Sequence, residues 1–339
     1  MLGLALGDAM GHPTEFLTME RITSAFGPWH TMEMPLSAGD VVRVTDDTQM
    51  ALAVGEALAE VTTSPRESGR AWGTPQTVPP AQVEAALRRH FVTWLHDPNN
   101  DRAPGQTCLD ACAALERGVP WQDATVVRSK GCGANMRVAP VALVPGLTAE
   151  QCSGIAQLQA AMTHGHPTAL AASDLTAHAI RLLAHGCALD ELLPQLRLHA
   201  VQSRRKYHGD WLGDLAKKAG APDPVTFIAF GWDECLRALD KVTDALRDPD
   251  VDRDPCEAVG PGWIAEEALA TALYCFLLVG GHAREAIRRG AHSSGDSDSI
   301  AALAGAFAGA KHGPGQWLPE WTEVLEYDDR IRALGRLWD

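Results

Sequence analysis

Residues 290–312 read GAHSSGDSDSIAALAGAFAGAKH, an apolar stretch built almost wholly from small side chains. Ala301, Gly305 and Gly309 recur every four residues, so one face of a helix here admits another backbone at close range. Gly295-Asp296-Ser297-Asp298-Ser299 opens that helix, with Asp296 as its expected N-cap. Two carboxylates and a hydroxyl at the mouth of a buried helix have two readings. One is a capped core helix. The other is half of a site for a hard cation, because Asp and Ser oxygens suit such ions.

A second stretch repeats the chemistry. Residues 44–51, Val-Thr-Asp-Asp-Thr-Gln-Met-Ala, open an apolar helix that runs to about Val61. Thr45, Asp46 and Asp47 again put a hydroxyl and two carboxylates at a helix mouth. A helix N-terminus favours anions. Four carboxylates brought together would nevertheless have to take up protons or hold cations. Two such mouths, far apart in sequence, point to a shared dinuclear site.

The rest of the chain reads as helix. Aromatic content is only 6% and Ala and Leu abound, which favours helices over sheets, and no segment makes a convincing strand. Helices are predicted over 1–11, 81–97, 106–117 (with Thr107 as cap), 149–163, 168–186, 190–202, 232–246, 263–279 and 282–291. The 263–279 helix is apolar almost all round and is expected to be buried. Residues 62–80, TTSPRESGRAWGTPQTVPP, show no period and form a candidate mobile flap beside the site.

Charge and cysteine usage exclude several functions. A net charge of −14 argues against a general nucleic-acid surface, so an anionic ligand must be met by local positive groups, helix N-termini or metal. Eight scattered cysteines contain no C-x-x-C pair, which favours a reduced cytoplasmic protein over a disulfide framework or a zinc site. No apolar run is long enough to span a bilayer, and no basic-then-apolar signal segment opens the chain.

Three further segments carry candidate chemistry. Gly131-Cys132-Gly133-Ala134, bracketed by Lys130 and Arg137, reads either as a phosphate-cradling loop or as a tight turn between helices. His164 and His166 flank Gly165, and with no cysteine nearby a hydrogen-bonded turn is favoured over a transition-metal site. Glu15 is the lone carboxylate of Pro-Thr-Glu-Phe-Leu, and its role depends on what it meets in the fold.

LALGDAMGHPTEF, TDDTQMALAVGEAL, SKGCGANMRVAP, THGHP, EEALATALYC and SSGDSDSIAALAGAFAGA follow one another along the chain. In that order they resemble the ADP-ribosylglycohydrolase family, which includes the dinitrogenase-reductase-activating glycohydrolases, from near residue 1 to about 315. The resemblance implies one all-α domain over 1–339, a single compact orthogonal helical bundle with a central cleft for two divalent ions, Mg2+ or Mn2+. It implies Thr45, Asp46 and Asp47 as one set of ligands and Asp296, Asp298 and Ser299 as the other. Glu15 and Asp298 are the implied catalytic residues. Gly131, Cys132, Gly133, Ala134 and Met136 would cradle the diphosphate and distal parts of ADP-ribose, and His164 would contact the ligand. Ser299 stands where the family usually has Thr and keeps the hydroxyl. Ala291-His292-Ser293-Ser294 replaces the frequent Asn-His-Gly-Gly and changes the polarity of the mouth.

The implied function is metal-dependent removal of ADP-ribose from modified protein side chains, with the arginine linkage favoured. Hydrolysis of another linkage, serine or small-molecule, and a catalytically silent ADP-ribose binder stay open; the intact carboxylates at 46, 47, 296 and 298 count against the silent binder. Oxygen donors select magnesium or manganese over zinc, and the cysteines are expected to stand outside the site. The expected partner is an ADP-ribosylated protein, with no nucleic acid and no membrane, for a monomer in the cytoplasm.

Overall fold

The computed structural model describes residues 1–37, 41–63 and 73–338. Among these the fold is all-α, and β-pairing is limited to isolated bridges such as Val126 with His164 and Gly131 with Ile264. The longer helices of the first half are α1 (Leu2–Gly11), α2 (Met19–Phe26), α3 (Asp46–Val61), α4 (Pro80–Leu95), α5 (Gln106–Glu116) and α6 (Ala149–Ala161). Those of the second half are α7 (Pro167–Ala184), α8 (Leu189–Ser203), α9 (Pro224–Ala245), α10 (Ala265–Leu278), α11 (Ala283–Ala291), α12 (Ser297–His312) and α13 (Asp328–Trp338). No helix among the described residues is long and apolar enough to cross a membrane.

One continuous hydrophobic core gathers side chains from Leu4 of α1 to Trp338 of α13. The small-residue helix α12 lies at its centre, with Ile300 to Ala304 fully buried. Helix α10 is buried on nearly every side, as its composition requires. A smaller cluster of Ala238, Val242, Val259, Ala270 and Tyr274 packs the outer side of α9 against α10.

Three local expectations are corrected. Helix α9 starts eight residues before the predicted 232: Asp223 caps it, accepting the Thr226 N–H at 2.9 Å, and Trp232 is fully buried. Phe227, Ile228 and Gly231 weaken the local helix signal there, and packing overrides it. Thr107 does not cap α5. Gly105 holds the cap position, and the Thr107 hydroxyl lies 3.0 Å from Ser129 Oγ. Of the candidate flap, residues 64–72 lie outside the described residues. The part that follows is not beside the carboxylates. Gln76 is tied to Gly146 and Pro145 by hydrogen bonds of 3.1 and 2.6 Å, and Gly73 and Pro75 line a cavity with Met1–Gly3. That cavity is at the end of α1 opposite Gly11.

Candidate active site

The face of α12 read as small meets α1. A Cβ added at Gly3 would lie 2.1 Å from the Gly305 carbonyl oxygen, at Gly7 2.0 Å from that of Ala301, and at Gly11 2.3 Å from that of Ser297. Only the absence of a side chain lets the two backbones approach so closely. Hydroxyls lock the crossing at the Gly11 end. Ser297 donates to the Gly11 carbonyl at 2.9 Å, and Thr14 Oγ1 lies 2.5 Å from the Ala291 carbonyl and 3.0 Å from Ser297 Oγ. The C-terminus of α1 therefore stands beside the N-terminus of α12.

Asp8 joins the second mouth to the first. Its buried carboxylate accepts the N–H and hydroxyl of both Thr45 and Thr48, at distances from 2.5 to 3.0 Å. A side chain on α1 thus satisfies open N–H donors in the first turn of α3. Chain order hides this role: Asp8 reads only as an isolated carboxylate inside LGLALGDAMG.

With these contacts made, Asp46, Asp47, Asp296 and Asp298 are all buried and share one neighbourhood with Glu15. Among the described residues no Lys, Arg or His forms an ion pair with any of those four aspartates; the one basic side chain close to Glu15 is His12, with Nδ1 4.0 Å from Glu15 Oε2. Burial, then the charge of Asp298, pushes Glu15 up to about 10 and Asp8 up to about 7. The same two causes, in the same order, hold Asp46, Asp47 and Asp296 well above the usual carboxylate range. Asp47 Oδ1 is buried and has no hydrogen-bond partner. A desolvated oxygen of that kind, in a group of like charges, is a free ligand atom for a hard cation.

The individual roles differ in part from the sequence reading. Asp296 holds the N-cap position of α12 but its carboxylate does not cap the helix; Oδ2 accepts from the Cys132 thiol at 2.7 Å. One cysteine therefore does belong to the site, because the loop at 131–134 folds directly over the mouth of α12. Asp298 Oδ1 accepts the Ser299 N–H at 3.0 Å, and the Ser299 hydroxyl reaches Asp296 and Cys132. The Thr45 hydroxyl is engaged by Asp8 and accepts the Asp47 N–H at 3.3 Å. Asp46 Oδ2 accepts the Gly105 N–H at 3.4 Å.

The loop is a 3-10 turn, Cys132–Ala134, pinned to the start of α10: Cys132 N–H donates to the Trp263 carbonyl at 3.2 Å and Ala265 N–H to that of Lys130 at 2.8 Å. Ala134 and Met136 are buried, so their side chains pack the core, and the Ala134 carbonyl accepts from Gln159 Nε2 at 2.8 Å and Ser173 Oγ at 3.1 Å. His164 lies against both glycines, its ring 3.2 Å from a Cβ placed at Gly131 and 3.1 Å from one at Gly133. Burial, and then the Arg137 charge, drives His164 down to about 3, so the ring is neutral. His166 is the turn histidine, its Nδ1 accepting the Thr168 N–H at 3.2 Å.

The two bracketing cations do not face the loop's ligand side. Lys130 is bound by Glu234 and Glu266. Arg137 is fully buried beneath the turn, donating to the Gln159 side chain and carbonyl at 2.8 and 2.6 Å and to Thr163 Oγ1 at 2.8 Å, with its guanidinium over Phe91. Next to Glu15 at the rim, Phe16 adopts φ 64° and stacks on Trp263 with ring centroids 5.2 Å apart, both rings open to solvent. A left-handed phenylalanine is a strained conformation, held here by that stack.

The profile of the ADP-ribosylglycohydrolase family matches residues 1–339. The chain is 26% identical over 348 residues to ADP-ribosylarginine hydrolase Tri1 of Pseudomonas putida, covering 99% of this chain and 76% of that one. It is 24% identical over 341 residues to the ADP-ribosyl-[dinitrogen reductase] glycohydrolase of Rhodospirillum rubrum, covering 97% and 91%. Among solved structures, a chain of an ADP-ribosylglycohydrolase-related protein complex superposes with a TM-score of 0.59 at 24% identity, covering 98% of this chain and 93% of its own, and shares the fold.

Proposed function

The chain belongs to the ADP-ribosylglycohydrolase family, and from that premise we propose that it is a metal-dependent hydrolase removing ADP-ribose from modified protein side chains, with arginine the favoured linkage. The observation that carries this is the convergence of Asp46, Asp47, Asp296 and Asp298 without a cationic side chain paired to them among the described residues. The arginine preference draws on the relative named an ADP-ribosylarginine hydrolase. One core running from α1 to α13 supports treating 1–339 as one domain, and eight unpaired thiols suit a reducing compartment such as the cytoplasm.

Asp46, Asp47, Asp296 and Asp298, with the hydroxyls of Thr45 and Ser299, would hold two divalent ions, magnesium or manganese, and the orphaned Asp47 Oδ1 fits that role. When bound, such ions supply positive charge that anchors the ribose hydroxyls and orients the anomeric carbon. The chain's own groups do the rest. Backbone of the Gly131–Ala134 turn meets the diphosphate, which is how so acidic a protein accepts an anion. His164, neutral at physiological pH, contacts the ligand as a hydrogen-bonding ring and adds no charge. Glu15 takes the proton from the water that attacks the anomeric carbon, a role that needs its carboxylate ionised; the positive charge of bound cations would favour that form against the burial and the Asp298 charge that raise its proton affinity. Breaking the glycosidic bond builds oxocarbenium character at that carbon, which the surrounding carboxylates stabilise.

The deciding experiment incubates the protein with arginine-linked and serine-linked ADP-ribosyl peptides, in magnesium and then with a chelator, and measures free ADP-ribose. Magnesium-dependent release from the arginine peptide is the expected result, and Asp298→Ala should abolish it with cooperative unfolding retained. Release from the serine peptide alone would reassign the linkage. No release from either would favour the catalytically silent ADP-ribose binder.

A further inference from the structure

The two acidic mouths leave one adjacent polar atom without a role. His12 opens the 3-10 turn His12–Thr14 that follows α1. Its Nδ1 is buried and has no hydrogen-bond partner, while the rest of the side chain is 38% exposed. A surface histidine in an ordinary ion pair would close on its carboxylate at about 2.8 Å. Here Nδ1 stops 4.0 Å from Glu15 Oε2. One ligand atom each from His12, Glu15 and Asp298 lies within 4.8 Å of the other two. Ligands of a single ion about 2.1 Å away are separated by roughly 3 to 4 Å, so this trio needs only small side-chain rotations to close on a cation.

The three residues reach this arrangement by the same close crossing that brings the acidic mouths together. The Gly3–Gly7–Gly11 face brings the end of α1 against the start of α12, and Asp298 sits in the first turn of α12. Glu15 follows the 3-10 turn directly, with its N–H on the Gly11 carbonyl at 3.2 Å. The donor set is one imidazole nitrogen with two carboxylates. Magnesium has little use for a nitrogen ligand, whereas imidazole raises affinity for first-row transition ions.

We infer that His12, Glu15 and Asp298 form a mixed nitrogen–oxygen site that takes a divalent transition ion, such as Mn2+, Co2+, Ni2+ or Zn2+, in preference to Mg2+. The inference rests on the proposed function in two respects, since Asp298 is shared with the metal ligands and Glu15 with the proton acceptor; one Glu15 oxygen on the ion leaves the other for the proton. The exposed edge of His12 provides the entry path. With this site filled, the cleft carries an ion whose identity is set by the chain's own histidine.

Titration of the metal-free full-length chain with CoCl2 and, separately, MgCl2 tests this by calorimetry and by the visible absorption of bound cobalt. His12→Ala is expected to weaken Co2+ binding at least tenfold and to change Mg2+ binding less than twofold. In protein labelled with 15N-histidine, ZnCl2 should shift the Nδ1 resonance of His12. Circular dichroism melting establishes that the variant folds, and His12→Gln provides a second variant. Unchanged Co2+ affinity in both variants overturns the inference, as does an equal loss for Co2+ and Mg2+. Wild-type protein that binds Mg2+ with no histidine-dependent cobalt spectrum sinks this site alone. Wild-type protein that binds neither ion sinks the metal reading of the whole cleft.

Discussion

Asp8, on α1, accepts the Thr45 N–H with both carboxylate oxygens at 3.0 Å and the Thr45 hydroxyl at 2.8 Å, so a residue of the first helix caps the third. The same carboxylate takes the N–H and hydroxyl of Thr48. None of these contacts reaches substrate; together they aim Asp46 and Asp47. Asp8→Asn replaces one acceptor oxygen with an NH2 that faces other donors. Folding stability should fall by about 1–3 kcal/mol. Magnesium affinity should fall roughly ten- to a hundredfold, the usual effect of removing a group that orients metal ligands. Denaturant melts and magnesium titrations measure both; wild-type affinity in the variant would deny Asp8 its orienting role.

Gly7 is the tightest point of the α1–α12 crossing on the α1 side, where an added methyl would overlap the Ala301 carbonyl. On an exposed helix Gly→Ala is stabilising. Here the backbones must separate, and Gly7→Ala should lose about 3 kcal/mol or more. Because both mouths hang on this crossing, cation binding should weaken along with stability. A melting temperature at or above that of the wild type would contradict the packing argument.

Arg137 carries a buried charge whose fork spans Gln159 and Thr163, and Thr163 Oγ1 in turn lies 2.8 Å from His164 Nδ1. Arg137→Lys keeps the charge and loses the fork, leaving buried acceptors unmatched. We expect a loss of about 2–4 kcal/mol, since several hydrogen bonds to a charged group go at once. ADP-ribose should also bind more weakly, through a misplaced His164. Calorimetry with ADP-ribose, at a temperature where the variant is fully folded, separates the two effects.

Acid sensitivity should have a source remote from the cleft. Glu56 is flanked by Arg330, at 2.7 and 2.9 Å, and by His90. Burial raises its affinity for protons, but the hydrogen bonds and charges of His90 and Arg330 outweigh it and hold Glu56 down to about 2, against 4.5 ordinarily. A carboxyl depressed on folding adds stability that is complete above its unfolded value and is lost as pH falls toward the folded one. The wild-type advantage over Glu56→Gln should therefore be fullest near pH 5 to 6, shrink between about 4.5 and 2 as Glu56 takes up a proton, and shrink again above about 6.5 as His90, whose proton affinity Glu56 raises, loses its charge. Urea melts across that range test it; an advantage that does not change with pH would rule this pair out.

The helical class, the two acidic mouths, the closely packed face of α12 and the glycine turn at 131–134 were all legible in the chain, because each depends on residues within one or two helical turns. The α1 side of the same crossing, Gly3, Gly7 and Gly11 at spacing four, is equally legible. Asp8 was not readable as part of the site, nor was the approach of His12 to Asp298 or the Cys132 thiol's bond to Asp296: each joins segments far apart in the chain, and nearest sequence neighbours say nothing about such a partner.

The sequence by itself determined which segments become helices and which helix ends carry carboxylates, since propensity, patterning and local charge act over a few residues. Only the tertiary structure decided that those ends meet, that the carboxylate of Asp8 is used up as a cap while an oxygen of Asp47 is left bare, and that a histidine joins Glu15 and Asp298. The physical reason is that burial and like-charge repulsion arise between elements; a carboxylate has no unusual chemistry until another helix removes its water and sets a second charge beside it.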